Sequence, residues 1–493
     1  MGEQKHREER LWSRISYGFA DIYGGGAFVV IGTFFTVFLT KALGMPPALA
    51  GTIPLIGKVW DAVNDPIMGA IADRTKSKYG SKRFWLLFGA ISSAISFIAL
   101  WIPFKVGGVV GQYIFYVVMY LLFSTGATIV MVPYNGLLPD MIDDYTLRAK
   151  YSATRMAFSS FGAIIAGLIP TLMIRDNTNA TQYLVVAILF SVIFFVSVFL
   201  TFLGTWERDK NLHESTMKEA FTESITVFKS YSFRLLTGMF IFGQGAADFL
   251  TGLAVYYIDD VLNAYGGGNF TILMGVLLIA QFLGMLLFGP IMAKTSKKFP
   301  ILAGTPVRIL ATLAMLAFSY EGANFTIILI LAFIVGLGMA GTSTSIFAIL
   351  ADIADVDELI TSISRPSTCS SMATFARQLA AGLTSALIGV LLAMVGYDEV
   401  LAASGARQAL STQRGIALIF VFTQVIFMII TLLFTMKFPV TKKEFQIVRK
   451  EIARRKGEDD SIITDEEIRV CEKVTGLSYD RLWDKNNAFK IKN

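Results

Sequence analysis

Two aspartates one helical turn apart are the most chemically distinctive feature of the sequence. They are Asp61 and Asp65, with Asn64 beside the second. Residues four apart share one face of a helix, so the two carboxylates would repel each other unless a bound cation or proton neutralised them. Asn64 adds an uncharged oxygen, and Pro66 frees the Ala62 carbonyl because proline has no N–H to donate. The pattern predicts a cation site; the alternative is a structural cap near the end of a helix.

The helix that carries these aspartates belongs to a chain with a membrane-protein composition. Of the 493 residues 54% are apolar and 16% charged, and the mean hydropathy is +0.59. Soluble chains contain about 45–50% apolar and about 25% charged residues. Repeated apolar stretches long enough to cross about 30 Å of hydrocarbon predict an all-α integral membrane protein with twelve transmembrane helices. We place them at roughly 16–41, 47–72, 84–104, 109–138, 150–174, 181–205, 234–259, 269–292, 300–319, 324–351, 370–396 and 413–436.

Lysine and arginine in the loops orient these helices. With the N-terminus inside, the internal cytoplasmic loops hold fifteen basic residues and the external loops hold four. Cytoplasmic loops carry the basic excess, so both termini are predicted to be cytoplasmic, in the inner membrane of a bacterial cell. The formal charge of +6 then reflects contact with anionic lipid rather than with nucleic acid. The basic loop 74–83 is expected to pair with Asp140, Asp143 or Asp144 and keep the cytoplasmic side closed.

The two halves of the chain resemble each other. The run 69–74 (GAIADR) ends the second predicted helix, and the run 289–294 (GPIMAK) ends the eighth. The acidic run 140–143 ends the fourth helix and recurs as 352–355 at the end of the tenth. Such repeats predict two six-helix bundles around a shared cavity, the major facilitator fold. The predicted parts are an N-terminal bundle 1–205, a cytoplasmic linker 206–233, a C-terminal bundle 234–436 and a cytoplasmic tail 437–493.

Further ionisable residues inside the predicted helices are candidates for a substrate site. A charge at mid-membrane costs about 2.5–3.5 kcal/mol unless it is paired or hydrated. We expect Arg155 and Arg377 to line the cavity, and Arg308 to brace neighbouring helices. Asp21 and Lys58 could pair with each other or with Asp61. For each of them a purely structural pairing is the alternative. The full set is Asp21, Lys58, Arg155, Asp248, Arg308 and Arg377.

The sequence resembles the glycoside–pentoside–hexuronide:cation symporters, a branch of the major facilitator superfamily that includes the melibiose carrier. The resemblance rests on the runs 17–19 (YGF), 60–69 (WDAVNDPIMG) and 73–80 (DRTKSKYG), and it covers residues from about 12 to 440. It implies sugar uptake driven by Na⁺, H⁺ or Li⁺. It also implies a sugar-site role for Arg155. The cation ligands that it implies are Asp61, Asn64, Asp65 and Thr128.

Other sugar-site positions depart from the family pattern. The Lys-Asp pair of the first helix falls on Gly24-Gly25, an aspartate of the fourth on Met131, a tryptophan on Asn135 and a lysine of the eleventh on Gln378. The glycines are expected first to allow close helix packing and second to leave room for substrate. A cavity that lacks those carboxylates but keeps arginines suits an anionic sugar such as a hexuronate or glucuronide. The alternative is a neutral sugar bound through Thr128, Tyr134, Asn135, Gln244 and Asp248.

The sequence shows none of the motifs of a nucleotide-driven pump or of an enzyme. It has no GxxxxGK[ST] loop, no dinucleotide fingerprint and no Cys/His metal spacing. We therefore expect a secondary transporter that needs no cofactor and acts as a monomer. Its expected partners are the coupling ion, Na⁺ or H⁺, a sugar or glycoside, and membrane lipid, but not nucleic acid. A membrane sensor, or a carrier of lipid or another solute on the same fold, is the alternative.

Overall fold

The computed structural model describes residues 8–176, 178–208, 224–264, 268–398, 401 and 407–488. In this part of the chain all regular elements are helical, and twelve helices have 18 residues or more, which confirms the predicted fold class. The twelve are α1 (Leu11–Val30), α2 (Pro47–Arg74), α3 (Arg83–Leu100), α4 (Gly108–Met141), α5 (Tyr145–Met173), α6 (Ala180–Gly204), α7 (Tyr231–Tyr256), α8 (Asn269–Lys294), α9 (Phe299–Leu316), α10 (Phe325–Thr361), α11 (Pro366–Met394) and α12 (Leu410–Lys437).

Among the described residues, eleven of these helices are long and apolar enough to cross a membrane. The twelfth, α2, is less apolar because it carries the charged residues Lys58, Asp61, Asp65 and Asp73. α10 has 37 residues, about 55 Å at 1.5 Å per residue, and therefore extends well beyond the hydrocarbon layer. Its last ten residues lie beyond the predicted end at 351, because hydropathy locates only the part of a helix that meets lipid.

The described helices form two compact units. The first comprises residues within Met1–Phe233, Leu350–Phe375 and Val440–Asn493, and the second comprises residues within Arg234–Ile349 and Ala376–Pro439. The end of α10, the first turns of α11 and the tail therefore belong to the first unit. Ion pairs described below connect the end of α10 and the tail to the start of α5 and to Asp143 before it. Hydrogen bonds connect the start of α11 to Asp73 of α2. Residues 209–223 of the predicted linker lie outside the described residues.

Glycines allow α1 to pack closely against α5 in the first unit. A Cβ at Gly25 would collide with the backbone oxygen of Ser159, and a Cβ at Gly162 would lie 2.6 Å from the oxygen of Ile22. Small residues at a helix interface let the two backbones approach, which strengthens packing where lipid supplies little hydrophobic drive. This contact positions α1 against the helix that carries Arg155.

Glycines also allow α8 to pack closely against α10 in the second unit. A Cβ at Gly284 would lie 2.6 Å from Ala340 Cβ, and one at Gly336 would lie 2.7 Å from Ala280 Cβ. The core of this unit includes a stacked pair of rings, Tyr257 and Phe420, with centroids 4.3 Å apart. Close contact of α8 and α10 therefore fixes the second unit around an apolar interior.

The tail forms two further helices, α13 (Lys442–Lys456) and α14 (Asp465–Thr475), each opened by a capping box. The segment after α14 reaches the end of α10. The backbone N–H groups of Trp483 and Asp484 donate to the carbonyls of Leu359 and Ile360 at 2.9 and 3.2 Å. Asn487 Nδ2 donates to Ile360 O at 3.1 Å. The last carbonyls of a helix lack intrahelical donors, so the tail supplies hydrogen-bond donors for the end of α10.

Candidate functional site

The predicted cation site lies where α2 packs against α4 in the first unit. Thr128 Oγ1 donates a hydrogen bond to Asp65 Oδ1 at 2.8 Å, and Ser124 Oγ donates to Asp61. In each pair the two residues are 63 positions apart in the sequence. Because this separation is the same for both pairs, the two helices run in the same direction here, and their four-residue spacings are in register. Each carboxylate of α2 thus faces its own hydroxyl of α4.

Burial and hydrogen bonding make this group an oxygen-rich site away from bulk water. The Asp65 side chain is only 4% exposed, and Asp61 is half-buried. Asn64 Nδ2 is buried without a hydrogen-bond partner in the described structure. Two carboxylates, an amide and two hydroxyls provide the oxygen ligands that a hard cation prefers. A positive ion would also remove the repulsion between Asp61 and Asp65.

Ser124 was not predicted from the sequence, although a signal existed. It stands four residues before Thr128, as Asp61 stands four residues before Asp65. α2 remains helical through its internal Pro66, so this four-residue spacing is preserved along the whole face. Finding Ser124 would have required knowing that α2 and α4 are parallel neighbours in this register.

A second polar group surrounds Arg155 on α5. The Arg155 side chain forms an ion pair with Asp21 of α1, and Arg155 Nη2 donates to Asn135 Oδ1. The guanidinium carbon lies 4.5 Å from the ring centroid of Tyr134. Tyr134 OH in turn donates to the backbone oxygen of Tyr17 at 2.7 Å. The structure therefore brings the predicted residues Arg155, Asn135 and Tyr134 together.

The partner of Asp21 differs from the one considered in the sequence. Asp21 pairs with Arg155, whereas the Lys58 side chain, a predicted substrate contact, is exposed on its unit. Gly25, also predicted near substrate, faces the backbone of α5 at Ser159. Close packing, the first interpretation of the glycines, accounts for that position.

The second unit holds the remaining predicted residues. Arg377 Nη2 of α11 forms an ion pair with Asp248 Oδ1 of α7 at 2.8 Å, and both side chains are half-buried. Gln244, one turn before Asp248, donates to Ser343 Oγ at 3.2 Å. Gln378 follows Arg377 and is half-buried. In both units a candidate arginine is therefore paired with an aspartate of a neighbouring helix.

A buried lysine anchors the loop that follows α2. Lys82 Nζ lies 2.6 Å from Asp140 and 3.1 Å from Asp73, which confirms the predicted pairing of this loop with Asp140. Burial alone would lower the pKa of Lys82, but the carboxylates of Asp140, Asp73 and Glu207 raise it above its ordinary value. Lys82 therefore stays charged throughout the physiological range.

Asp73 also binds the beginning of α11. Its carboxylate accepts from the backbone N–H groups of Ser367 and Thr368 at 3.1 and 2.8 Å, and from Thr368 Oγ1 at 2.9 Å. The start of a helix offers unpaired N–H groups and a partial positive charge, both of which favour a carboxylate. Asp73 thus ties the end of α2 to the start of α11.

A second ionic contact joins the start of α5 to the end of α10. Arg148 is fully buried and pairs with Asp355 and, at 3.4 Å, with Asp352. Arg449 of the tail bridges Asp355, at 3.0 Å, and Asp143. The acidic runs 140–143 and 352–355 therefore have matching roles, because in each run an aspartate near the end of its helix pairs with a basic side chain.

The comparisons with known proteins decide the family. The model for MFS/sugar transport proteins matches residues 16–442. The chain belongs to this family. The transporter is 26% identical over 470 residues to a candidate sulfoquinovose importer of Salmonella typhimurium, covering 92% of this chain and 95% of the relative. It is 23% identical over 402 residues to the isoprimeverose transporter of Lactiplantibacillus pentosus, covering 80% and 82%.

A solved structure supports the fold of the transporter. The outward-conformation crystal structure of the major facilitator transporter FucP superposes with a TM-score of 0.61, covering 86% of this chain and 99% of that one at 13% identity. At this identity the likeness concerns the fold alone. Together with the family match it confirms the predicted superfamily, and the relatives are transporters rather than enzymes.

Proposed function

We propose that the transporter carries a sugar or glycoside into the cell together with Na⁺, or H⁺ in its place. The ion ligands are Asp61, Asn64, Asp65 and Thr128, joined by Ser124. The matched register of α2 and α4 supports this proposal, because it gives the buried carboxylate of Asp65 and the half-buried carboxylate of Asp61 one hydroxyl donor each. The membrane is proposed to be the bacterial inner membrane, with both termini on the cytoplasmic side.

Coupling follows from the charge of the site. Without an ion the carboxylates of Asp61 and Asp65 repel each other, which disfavours the packing of α2 on α4. A bound cation removes this cost and stabilises the arrangement that holds the sugar. The effect is reciprocal, since each ligand raises the affinity for the other by a typical coupling of about 1–3 kcal/mol. The sugar and the ion then cross the membrane together.

The charge of the sugar is the open choice within this proposal. The departures from the family pattern favour an anionic sugar, because they replace carboxylates and keep arginines, and the named substrate of one relative, sulfoquinovose, is a sulfonated sugar. However, Arg155 is paired with Asp21 and Arg377 with Asp248. Each pair offers both donors and acceptors at no net charge, which suits the hydroxyls of a neutral glycoside. The geometry therefore shifts our proposal toward a neutral sugar, with the anionic sugar as the second candidate.

Uptake into membrane vesicles tests the function. Labelled neutral glycosides and hexuronates are supplied with and without a Na⁺ gradient, and with and without a pH gradient. We expect ion-stimulated accumulation of one class, abolished by Asp61→Asn and by Asp65→Asn. Asp144→Asn is the matched control, because Asp144 is an acid that caps α5 outside the site.

The outcomes of this assay separate the candidates. Accumulation of hexuronates alone would restore the anionic sugar, and equal ion responses in the wild type and both variants would refute the cation site. Failure of all sugars to accumulate would favour a carrier of lipid or another solute on the same fold.

A further inference from the structure

Arg308 is a buried charge that the proposed transport site does not use. It lies on α9, nine residues after Phe299 and eight before Leu316, about 14 Å and about 12 Å from the helix ends. This places it near the middle of the membrane-spanning segment, too deep for its side chain to reach either surface. Arg308 is only 1% exposed. A positive charge at such a depth needs a partner.

The protein supplies no such partner among the described residues. Arg308 Nε and Nη2 are both buried and have no hydrogen-bond acceptor. The brace between helices that the sequence suggested would require an acceptor on a neighbouring helix, and the described residues provide none. By contrast Arg155 and Arg377, which also lie within long apolar helices, each pair with an aspartate. Arg308 differs from both of them.

Two hydroxyls share the helix face of Arg308 and also lack partners. Thr305 Oγ1 and Thr312 Oγ1 are buried without a hydrogen bond, three residues before and four residues after Arg308. Residues at these spacings lie on one helix face. The opposite face is lipid-like, with Leu310 67% exposed. The side chains of Arg308, Thr305 and Thr312 thus present four donor atoms without acceptors inside the second unit, and the guanidinium of Arg308 is permanently positive.

Close packing limits the size of anything that could bind there. A Cβ at Gly338 of α10 would lie 2.7 Å from Arg308 Cβ and 3.0 Å from the backbone oxygen of Gly304. The two helix backbones therefore approach closely beside Arg308, which favours a small ligand over an organic acid. A water molecule could accept a hydrogen bond but would leave the guanidinium charge uncompensated. A small anion would accept hydrogen bonds and also compensate the charge.

We propose that Arg308, together with the hydroxyls of Thr305 and Thr312, forms a buried binding site for a monovalent inorganic anion of the size of chloride. The site lies in the second unit and is independent of the proposed cation site. Its anion balances the guanidinium charge, so occupancy stabilises the packing of α9 on α10.

Thermal unfolding of the purified full-length protein tests this site. Sodium chloride is replaced stepwise by sodium methanesulfonate at constant Na⁺, so that the cation site is unaffected. We expect chloride to raise the Tm of the wild type saturably, by about 2–4 °C. Arg308→Met should remove the response without lowering the Tm in methanesulfonate, because it also removes the buried charge. Thr312→Val should shift the midpoint to about tenfold higher chloride.

A control and a direct measurement complete the test. Arg414→Met changes an exposed arginine of α12 and should keep the full chloride response. Crystals grown in bromide should show an anomalous peak within hydrogen-bond distance of Arg308 Nε or Nη2. An equal Tm in chloride and methanesulfonate for the wild type, or a bromide ion found only elsewhere, would overturn the proposal. If Arg308→Met fails to fold, Thr312→Val and the bromide position still decide the question.

Discussion

Replacing Asp73 by asparagine should loosen the contact between the end of α2 and the start of α11. The carboxylate accepts three hydrogen bonds from Ser367 and Thr368 and pairs with Lys82. Asparagine keeps a single acceptor oxygen and loses the charge that the helix start attracts. A hydrogen bond to a charged group contributes about 1.5–3 kcal/mol, and the helix dipole about 0.3–1 kcal/mol. Since Lys82 keeps Asp140 as a partner, we expect a net cost of about 2 kcal/mol.

Cys369 offers a native probe of this contact. It is a free thiol with no exposed surface, and it directly follows Thr368. Alkylation therefore requires the start of α11 to separate from α2, and its rate follows the population of that open state. A cost of about 2 kcal/mol multiplies this population about thirtyfold. In a Cys471→Ser background, Asp73→Asn should thus accelerate alkylation of Cys369 by N-ethylmaleimide about thirtyfold, as measured by intact mass.

The control for this experiment is Asp144→Asn, which removes an acid that caps α5 but does not touch α11. Its alkylation rate should stay within about twofold of the parent. A folded Asp73→Asn protein, shown by an unchanged cooperative melt, that is alkylated no faster than the parent would refute the reasoning. It would mean that other contacts alone hold the start of α11.

Three further changes have defined outcomes. Ser124→Ala should raise the Na⁺ concentration for half-maximal uptake about tenfold, because Asp61 loses a charge-assisted hydrogen bond; an unchanged Na⁺ dependence would remove Ser124 from the site. Gly25→Ala should lower the free energy of unfolding by about 1–3 kcal/mol, because the added methyl group collides with α5. Gly32→Ala should not lower it, because the space around Gly32 is open. Equal denaturant midpoints for the two variants would contradict this packing. A chain ending at Ser478 should melt a few degrees below one ending at Ala488, since three hydrogen bonds to the end of α10 are lost, and identical melting curves would show that the tail adds no stability.

The lengths of the helices show what hydropathy alone can locate. The predicted second span, 47–72, closely matches α2, which runs from Pro47 to Arg74. The tenth span was predicted to end at 351, whereas α10 continues to Thr361. Those last turns are polar and buried against other polar groups in the first unit, so no hydropathy signal reveals them. Their partner Arg148 lies about two hundred residues away in the sequence.

The fold class, the family and the two carboxylates of the proposed cation site could be inferred from the amino-acid sequence alone. These depend on local properties: apolar length, charge asymmetry between loops, and a four-residue spacing that any helix converts into a shared face. Which side chains meet across helices became clear only from the three-dimensional packing. Asp21 joins Arg155 rather than Lys58, Ser124 joins Asp61, and Arg308 meets no acceptor among the described residues. Such pairings depend on the rotation and register of neighbouring helices, and apolar periodicity constrains both too weakly to predict them.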